Sequence, residues 1–134
     1  MRAVLDPNIL ISALLAPNGS PAQALSRWVG GEYDLVVSPF LLAELERALA
    51  YPKLRARIAP EAAGEIVSFL ERAAILMMDP EKSPRRSSDP GDDYLLALAE
   101  QAKAVLVSGD RHLLDLTDRF PVRDPRSFLD GLGA

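Results

Sequence analysis

Ala104-Val105-Leu106-Val107-Ser108-Gly109-Asp110 is an aliphatic run that ends in a polar turn and an acid, and Arg111-His112-Leu113-Leu114 follows with a helical pattern. A short apolar run feeding straight into a helix is how a buried parallel strand reads when it delivers a βα loop. The same grammar opens the chain, where Ala3-Val4-Leu5 runs into Asp6 and then an aliphatic helix candidate over Ile9 to Leu15. Leu35-Val36-Val37 is a third run of this kind. It ends at Ser38-Pro39, and Ser as N-cap with Pro at the first helical position marks a helix start. Ile75-Leu76-Met77-Met78 reads as a further strand and Pro121-Val122-Arg123 as a weak edge strand.

Helical spacing fills the intervals. After a break at Pro17-Asn18-Gly19-Ser20, a helix is expected from Pro21 to Val29, ending at Gly30-Gly31. Pro39 to Ala50 carries Leu41, Leu42, Leu45 and Leu49 on one stripe, a short turn is expected over 53–58, and Pro60 to Ala73 reads as a longer helix. Gly91 to Lys103 places Leu95, Leu98, Ala99 and Ala102 together. Strands alternating with helices imply an α/β domain with a parallel sheet covered on both faces. The segment Asp79 to Pro90, rich in Pro, Ser and charge, is expected to be a long mobile surface loop.

The 134 residues suit a single domain over 1–134, with 49% hydrophobic residues to build its core. No apolar run approaches the roughly 20 residues that span a bilayer, and Arg2 and Asp6 place charge too early for a signal peptide. A cytoplasmic protein with no membrane partner is expected. The absence of cysteine excludes disulfides, thiolate metal sites and a cysteine nucleophile, and His112 as the one histidine excludes multi-histidine sites. Any metal must therefore sit among oxygens, which points to magnesium or manganese. Two Asn and two Gln beside twelve Arg and eleven Pro resemble a heat-adapted composition. The net charge of −4 argues against a protein that simply coats nucleic acid, but not against a nuclease whose clustered carboxylates depress the formal charge.

The acids stand where a parallel sheet binds ligands. Asp6 follows the first run and Asp110 follows the run at 104–107 through Ser108-Gly109, so both fall beyond the carboxyl ends of strands, near the expected topological switch point. An Asp at such a junction is also a common helix cap, stabilising by about 1 kcal/mol. Glu44 and Glu46 flank the buried arc of the 39–50 helix on opposite sides, and helical geometry does not choose between them. Asp92 and Asp93 open a helix, where the helix dipole alone favours acids.

Four blocks in order resemble the PIN-domain family over essentially the whole chain. Val4-Leu5-Asp6-Pro7-Asn8-Ile9-Leu10-Ile11-Ser12-Ala13-Leu14-Leu15 is similar to the opening of bacterial PIN domains, usually Asp-Thr-Asn followed by aliphatics. Ser38-Pro39-Phe40-Leu41-Leu42-Ala43-Glu44-Leu45 looks like the second motif, which supplies a glutamate. Asp89-Pro90-Gly91-Asp92-Asp93-Tyr94-Leu95-Leu96-Ala97-Leu98-Ala99 is similar to the third, and Val105-Leu106-Val107-Ser108-Gly109-Asp110 to the fourth, commonly Thr-Gly-Asp. The nearest subgroup resembles predicted ribonucleases grouped with toxin components of toxin–antitoxin pairs. The resemblance implies a three-layer α/β/α domain with a five-stranded parallel sheet and hydrolysis of RNA phosphodiester bonds with Mg2+ or Mn2+. It implies Asp6, Glu44, Asp93 and Asp110 as catalytic acids, Asp6, Asp92, Asp93 and Asp110 as metal ligands with Asp92 either additional to Asp93 or the true third acid, and Asn8 as a polar support. It also implies an RNA substrate and, for a toxin, an antitoxin partner; apolar surface on the early helices is a candidate for a homodimer contact or an antitoxin groove.

Pro7 departs from the pattern, because it replaces the usual hydroxyl and removes one backbone N–H. A second reading follows from it: a catalytically impaired PIN-fold module that grips RNA or a protein. Lys82, Arg85, Arg86, Arg111 and His112 are candidate phosphate contacts. A phosphatase with an aspartate nucleophile would want a second acid at position 8, where Asn stands, and a response-regulator-like switch would want paired acids after the first strand.

Overall fold

The computed structural model describes residues 1–80 and 93–133. Strand β1 (Arg2–Leu5) leads through helices α1 (Pro7–Leu15) and α2 (Ser20–Val29) to β2 (Asp34–Val37). Helices α3 (Pro39–Leu49), α4 (Pro52–Arg55) and α5 (Pro60–Ala73) follow, then β3 (Ile75–Leu76). Helix α6 (Asp93–Ala102), β4 (Val105–Val107), the single turn α7 (Arg111–Leu114), β5 (Val122–Arg123) and α8 (Pro125–Leu132) complete the described chain. Asp92, Lys82, Arg85 and Arg86 lie outside the described residues, as does most of the loop expected over Asp79 to Pro90.

The five strands run in the order β3-β2-β1-β4-β5, and every neighbouring pair is parallel. This is an α/β fold with an all-parallel sheet. Successive connections move outward from β1 to β2 to β3, and the chain then crosses back to β4 and on to β5. With right-handed crossovers, the helices of the first half fall on one face and those of the second half on the other. The packing agrees for the crossover helices: α1 touches α2 and α3, and α3 touches α5, whereas α6 lies on β1 and β4; the last helix, α8, is the exception and packs on α2. The strand order reverses between β1 and β4, which makes the carboxyl ends of those two strands the switch point of the sheet.

Prolines are placed where they start helices. Six described helices carry one in their first two positions, so much of the proline content costs no helical hydrogen bond. Strands β1 and β2 bury every residue after their first, and Leu41, Leu42, Leu45 and Leu49 bury the expected stripe of α3. Tyr33 joins the core with its hydroxyl donating to the Ala24 carbonyl at 2.7 Å, and burial pushes its pKa up.

Several boundaries differ from the sequence expectation. Helix α1 begins at Pro7 rather than Ile9, because Asp6 caps it directly. Strand β3 stops at Leu76, although the Met77 N–H still donates to the Val37 carbonyl at 2.9 Å. The short turn expected over 53–58 is α4, which starts one residue earlier and ends already at Arg55. Helix α8 was not read from the sequence at all, yet it buries Phe128 and Leu129 and packs on α2.

Candidate active site

The site grows out of strand register. Leu5 of β1 is level with Val107 of β4, so the next residue on each strand, Asp6 and Ser108, leaves the sheet beside its neighbour. The Asp6 N–H still donates to the Val107 carbonyl at 3.0 Å. From there the chain turns into α1, with Asp6 as its cap: carboxylate Oδ1 accepts from the Asn8 N–H at 3.0 Å. Pro7 occupies the first helical position, where a backbone N–H would have no helical partner, so its missing donor leaves nothing unsatisfied.

The second Asp6 oxygen, Oδ2, accepts from the Ser108 hydroxyl at 2.8 Å. That hydroxyl oxygen in turn accepts from the Asp110 N–H at 3.0 Å, and Asp110 Oδ1 accepts from the His112 N–H at 2.8 Å to cap α7. Ser108 has one proton and gives it to Asp6, so its orientation is fixed from both sides. Ser108 is fully buried and Asp6 nearly so at 4% exposure, while Asp110 is half-buried. The Asp6 pKa is raised from 3.8, chiefly because burial penalises the charged carboxylate. The bonds from Asn8 and Ser108 oppose the rise, and repulsion from Asp110 adds to it.

The other expected acids stand as follows. Asp93 is buried at 4% exposure as the first residue of α6. That helix lies on β1 and β4 and ends just before β4 begins, so its first turn is at the carboxyl edge of the sheet, where Asp6 and Asp110 emerge. Glu44 is in the second turn of α3, about one-third exposed, and pairs with Arg47 at 2.8 Å. Asp6 and Asp110 are brought together. Among the described residues no group of three or more His, Cys, Asp or Glu is close enough to hold one metal ion. Arg111 and His112 are exposed beside Asp110.

Sequence reasoning passed over two residues. Ser108 was quoted in the fourth block but given no role; its equal distance past the strand, level with Asp6, was the available signal. Asp79 is the other. Its Oδ2 accepts from the Phe40 N–H at 2.9 Å at the start of α3, and its Oδ1 is buried with no hydrogen-bond partner among the described residues. It follows the Ile75–Met78 run as directly as Asp6 follows β1.

Neither a cysteine thiolate nor a second imidazole is available, and the donors at this site are carboxylate and hydroxyl oxygens. Two neighbouring carboxylates, one buried and raised in pKa partly by the other, are what a hard divalent cation relieves. The residues present fit Mg2+ or Mn2+. A groove of about 470 Å³ lies elsewhere, between α3 and α5, lined by Glu46, Leu49, Val67 and Glu71. Size alone does not locate chemistry, and hydrogen-bonded convergence of acids at a switch point is the stronger indication.

An all-parallel sheet with acids joined at its switch point defines the class: an α/β domain with an acidic centre on its carboxyl edge. The chain belongs to the PIN-domain family, whose model, described as PIN domain, matches residues 2–112. An uncharacterized protein of Methanocaldococcus jannaschii is 28% identical over 120 residues, spanning 88% of this chain and 76% of that protein. The fold is similar to that of PAE2754 from Pyrobaculum aerophilum, with TM-score 0.64 and 21% identity over 98% of this chain and 89% of that one. It is also similar to VapBC2 from Rickettsia felis, solved bound to a DNA fragment from their promoter, with TM-score 0.63 and 17% identity over 92% and 98% of the two chains. VapBC-1 from nontypeable Haemophilus influenzae gives TM-score 0.63 at 17% identity over 94% and 99%. No helix among the described residues is long and apolar enough to cross a membrane.

Proposed function

We propose that this protein is a divalent-metal-dependent ribonuclease that hydrolyses RNA phosphodiester bonds. The observation that carries the reading is the Asp6–Ser108–Asp110 linkage at the β1/β4 switch point, where burial and a second acid push the Asp6 pKa upward. Membership of the PIN-domain family supports a nuclease in particular.

Asp6 and Asp110 would hold Mg2+ or Mn2+, with Asp93 and its neighbour Asp92 as the third acid position and Glu44 at the rim. A cation bound there would polarise the phosphoryl oxygen and activate water. The chain's own residues prepare the site. The Ser108 hydroxyl and the Asn8 N–H fix both oxygens of the Asp6 carboxylate, so it need not reorganise on binding. The turn into α7 fixes Asp110 in the same way through the His112 N–H. Exposed Arg111 and His112 stand beside Asp110 as phosphate contacts, and Lys82, Arg85 and Arg86 are further candidates.

The resemblance to toxin components and the likeness to VapBC structures support an antitoxin partner and a cytoplasmic site of action. Single-stranded RNA incubated with purified protein and Mn2+ or Mg2+ tests the activity, with Asp6→Asn and Asp110→Asn as controls. Cleavage well above both variants is expected. RNA bound but cleaved no faster than by the variants would reject the nuclease and leave a binding module.

A further inference from the structure

The described surface next to the acids holds an aromatic pair that the catalytic reading does not use. Phe40 is in the first turn of α3, three residues past the end of β2 at Val37, and Tyr94 directly follows Asp93. Their rings meet edge-to-face with centroids 4.5 Å apart and planes at 66°. Phe40 is nonetheless 46% exposed. Its backbone is held in place: the Asp79 carboxylate accepts the Phe40 N–H at 2.9 Å, and the Ser38 hydroxyl accepts the next N–H, from Leu41, at 3.2 Å. A single exposed Phe needs no explanation. An exposed ring whose backbone is anchored by a side chain 39 residues away, and which is braced by the residue beside a site acid, is preorganised for a flat ligand.

The charge balance says which ligand. The chain carries a net charge of −4, so it has no overall electrostatic attraction for RNA, and phosphate contacts would be confined to the bound cation and a few side chains such as Arg111. Base stacking on an aromatic ring is independent of net charge and tolerates any base, but it requires that the base be unpaired. We infer that Phe40, braced by Tyr94, is a stacking platform for an unpaired base of the RNA strand whose backbone enters the acid site. This rests on the ribonuclease reading and adds a preference for single strands over duplex.

The test measures binding in the Asp110→Asn background, so that RNA stays intact, using a short single-stranded RNA and a blunt duplex of the same sequence. Phe40→Ala should weaken single-strand binding about 5- to 150-fold and leave duplex binding unchanged. Phe40→Trp should keep the affinity, with its new indole emission quenched by the single strand. Exposure of Phe40 makes truncation tolerable to the fold, and the melting temperature of each variant checks that. Unchanged single-strand affinity in Phe40→Ala overturns the platform and leaves the patch to a protein partner. Equal loss for duplex and single strand also overturns it, as does bound RNA without quenching. Cleavage by the unmutated chain separates the two readings: cleavage with unchanged Phe40→Ala affinity sinks only the platform, and a selective Phe40→Ala loss without cleavage sinks only the nuclease.

Discussion

Two places on the sheet are written in the same local grammar and end up doing different things. At one, β1 runs into Asp6-Pro7 and opens α1; at the other, β5 runs into Asp124-Pro125 and opens α8. Each Asp caps its helix by accepting a backbone N–H, from Asn8 at 3.0 Å and from Ser127 at 2.7 Å, and each Pro takes the first helical position. The two sites differ in their neighbours. Asp6 emerges from the central strand beside β4, which supplies Ser108 and a second acid, and it is buried. Asp124 emerges from an edge strand and is only half-buried. Capping and function are therefore not rival explanations of a strand-end aspartate. The cap holds the carboxylate in place, and the topology decides whether a held carboxylate meets another.

If that contrast is right, the largest effect separates the two aspartates in RNA cleavage. Asp6→Asn and Asp110→Asn should each lower the Mn2+-dependent rate about 100-fold or more, since loss of a metal ligand exceeds the 10- to 100-fold typical of an outer contact. Asp124→Asn, which keeps an equivalent cap, should leave the rate near that of the unmutated chain. A matching loss in Asp124→Asn would erase the distinction. Next in size is Ser108→Ala. It removes the hydroxyl that joins Asp6 to the Asp110 turn and should cost about 10- to 100-fold in metal affinity or rate. A titration of activity against Mn2+ measures it, and an unchanged midpoint and maximum would show the linkage to be incidental.

The contrast also explains what could be read without a structure. The strands, the order of the helices and the acids at positions 6 and 110 were legible because apolar runs ending in a polar residue record a parallel sheet directly. Pairing of Asp6 with Ser108 was not, because register depends on which strands are neighbours, and that is decided by packing across the whole domain. Helix α8 went unread although Asp124-Pro125 repeats the signal used at Ser38-Pro39; its amphipathic stretch spans only eight residues, Pro125–Leu132, too short for periodicity to stand out. Asp79 was absorbed into a loop because an acid that caps a helix 39 residues away leaves no mark in local spacing. Glu46 against Glu44 stayed open for a related reason: both flank the buried stripe, and only the family pattern favours Glu44.

A smaller effect concerns stability and is read by melting the metal-free protein across pH. The folded-state pKa of Asp6 lies above 3.8, so in the window between 3.8 and the folded value the native form keeps a proton that the unfolded chain has released. Stability contributed by Asp6 therefore falls as pH rises through that window, and the cost persists above it. Asp6→Asn, which does not titrate, should melt higher than the unmutated chain at pH 7, with the gap closing as pH falls through that window toward 3.8. Mn2+ should reverse the order by raising the melting temperature of the unmutated chain alone, by about 2.7 kcal/mol of stability at a hundred times the dissociation constant. A gap that is the same at low and neutral pH would mean that the carboxylate's charge is not what burial penalises.

The smallest effect has the opposite sign and completes the comparison. Asp124→Ala removes a cap from α8 without relieving a buried charge, so it should destabilise by about 1 kcal/mol, the usual cost of losing an Asp cap. For a chain of this size that is a fall of about 3–5 °C in melting temperature, and Asp124→Asn should restore most of it because Asn caps nearly as well. Mn2+ should leave the Asp124→Ala deficit unchanged, since Asp124 holds no part of the acid centre. Two aspartates that each end a strand and precede a helix-opening proline would then respond oppositely to loss of charge: neutralising Asp6 would stabilise the domain and abolish its chemistry, while deleting Asp124 would weaken the domain and leave the chemistry alone. A stabilising Asp124→Ala, or a deficit that Mn2+ erases, would place Asp124 in the same electrostatic cluster and dissolve the distinction between the central and edge strands.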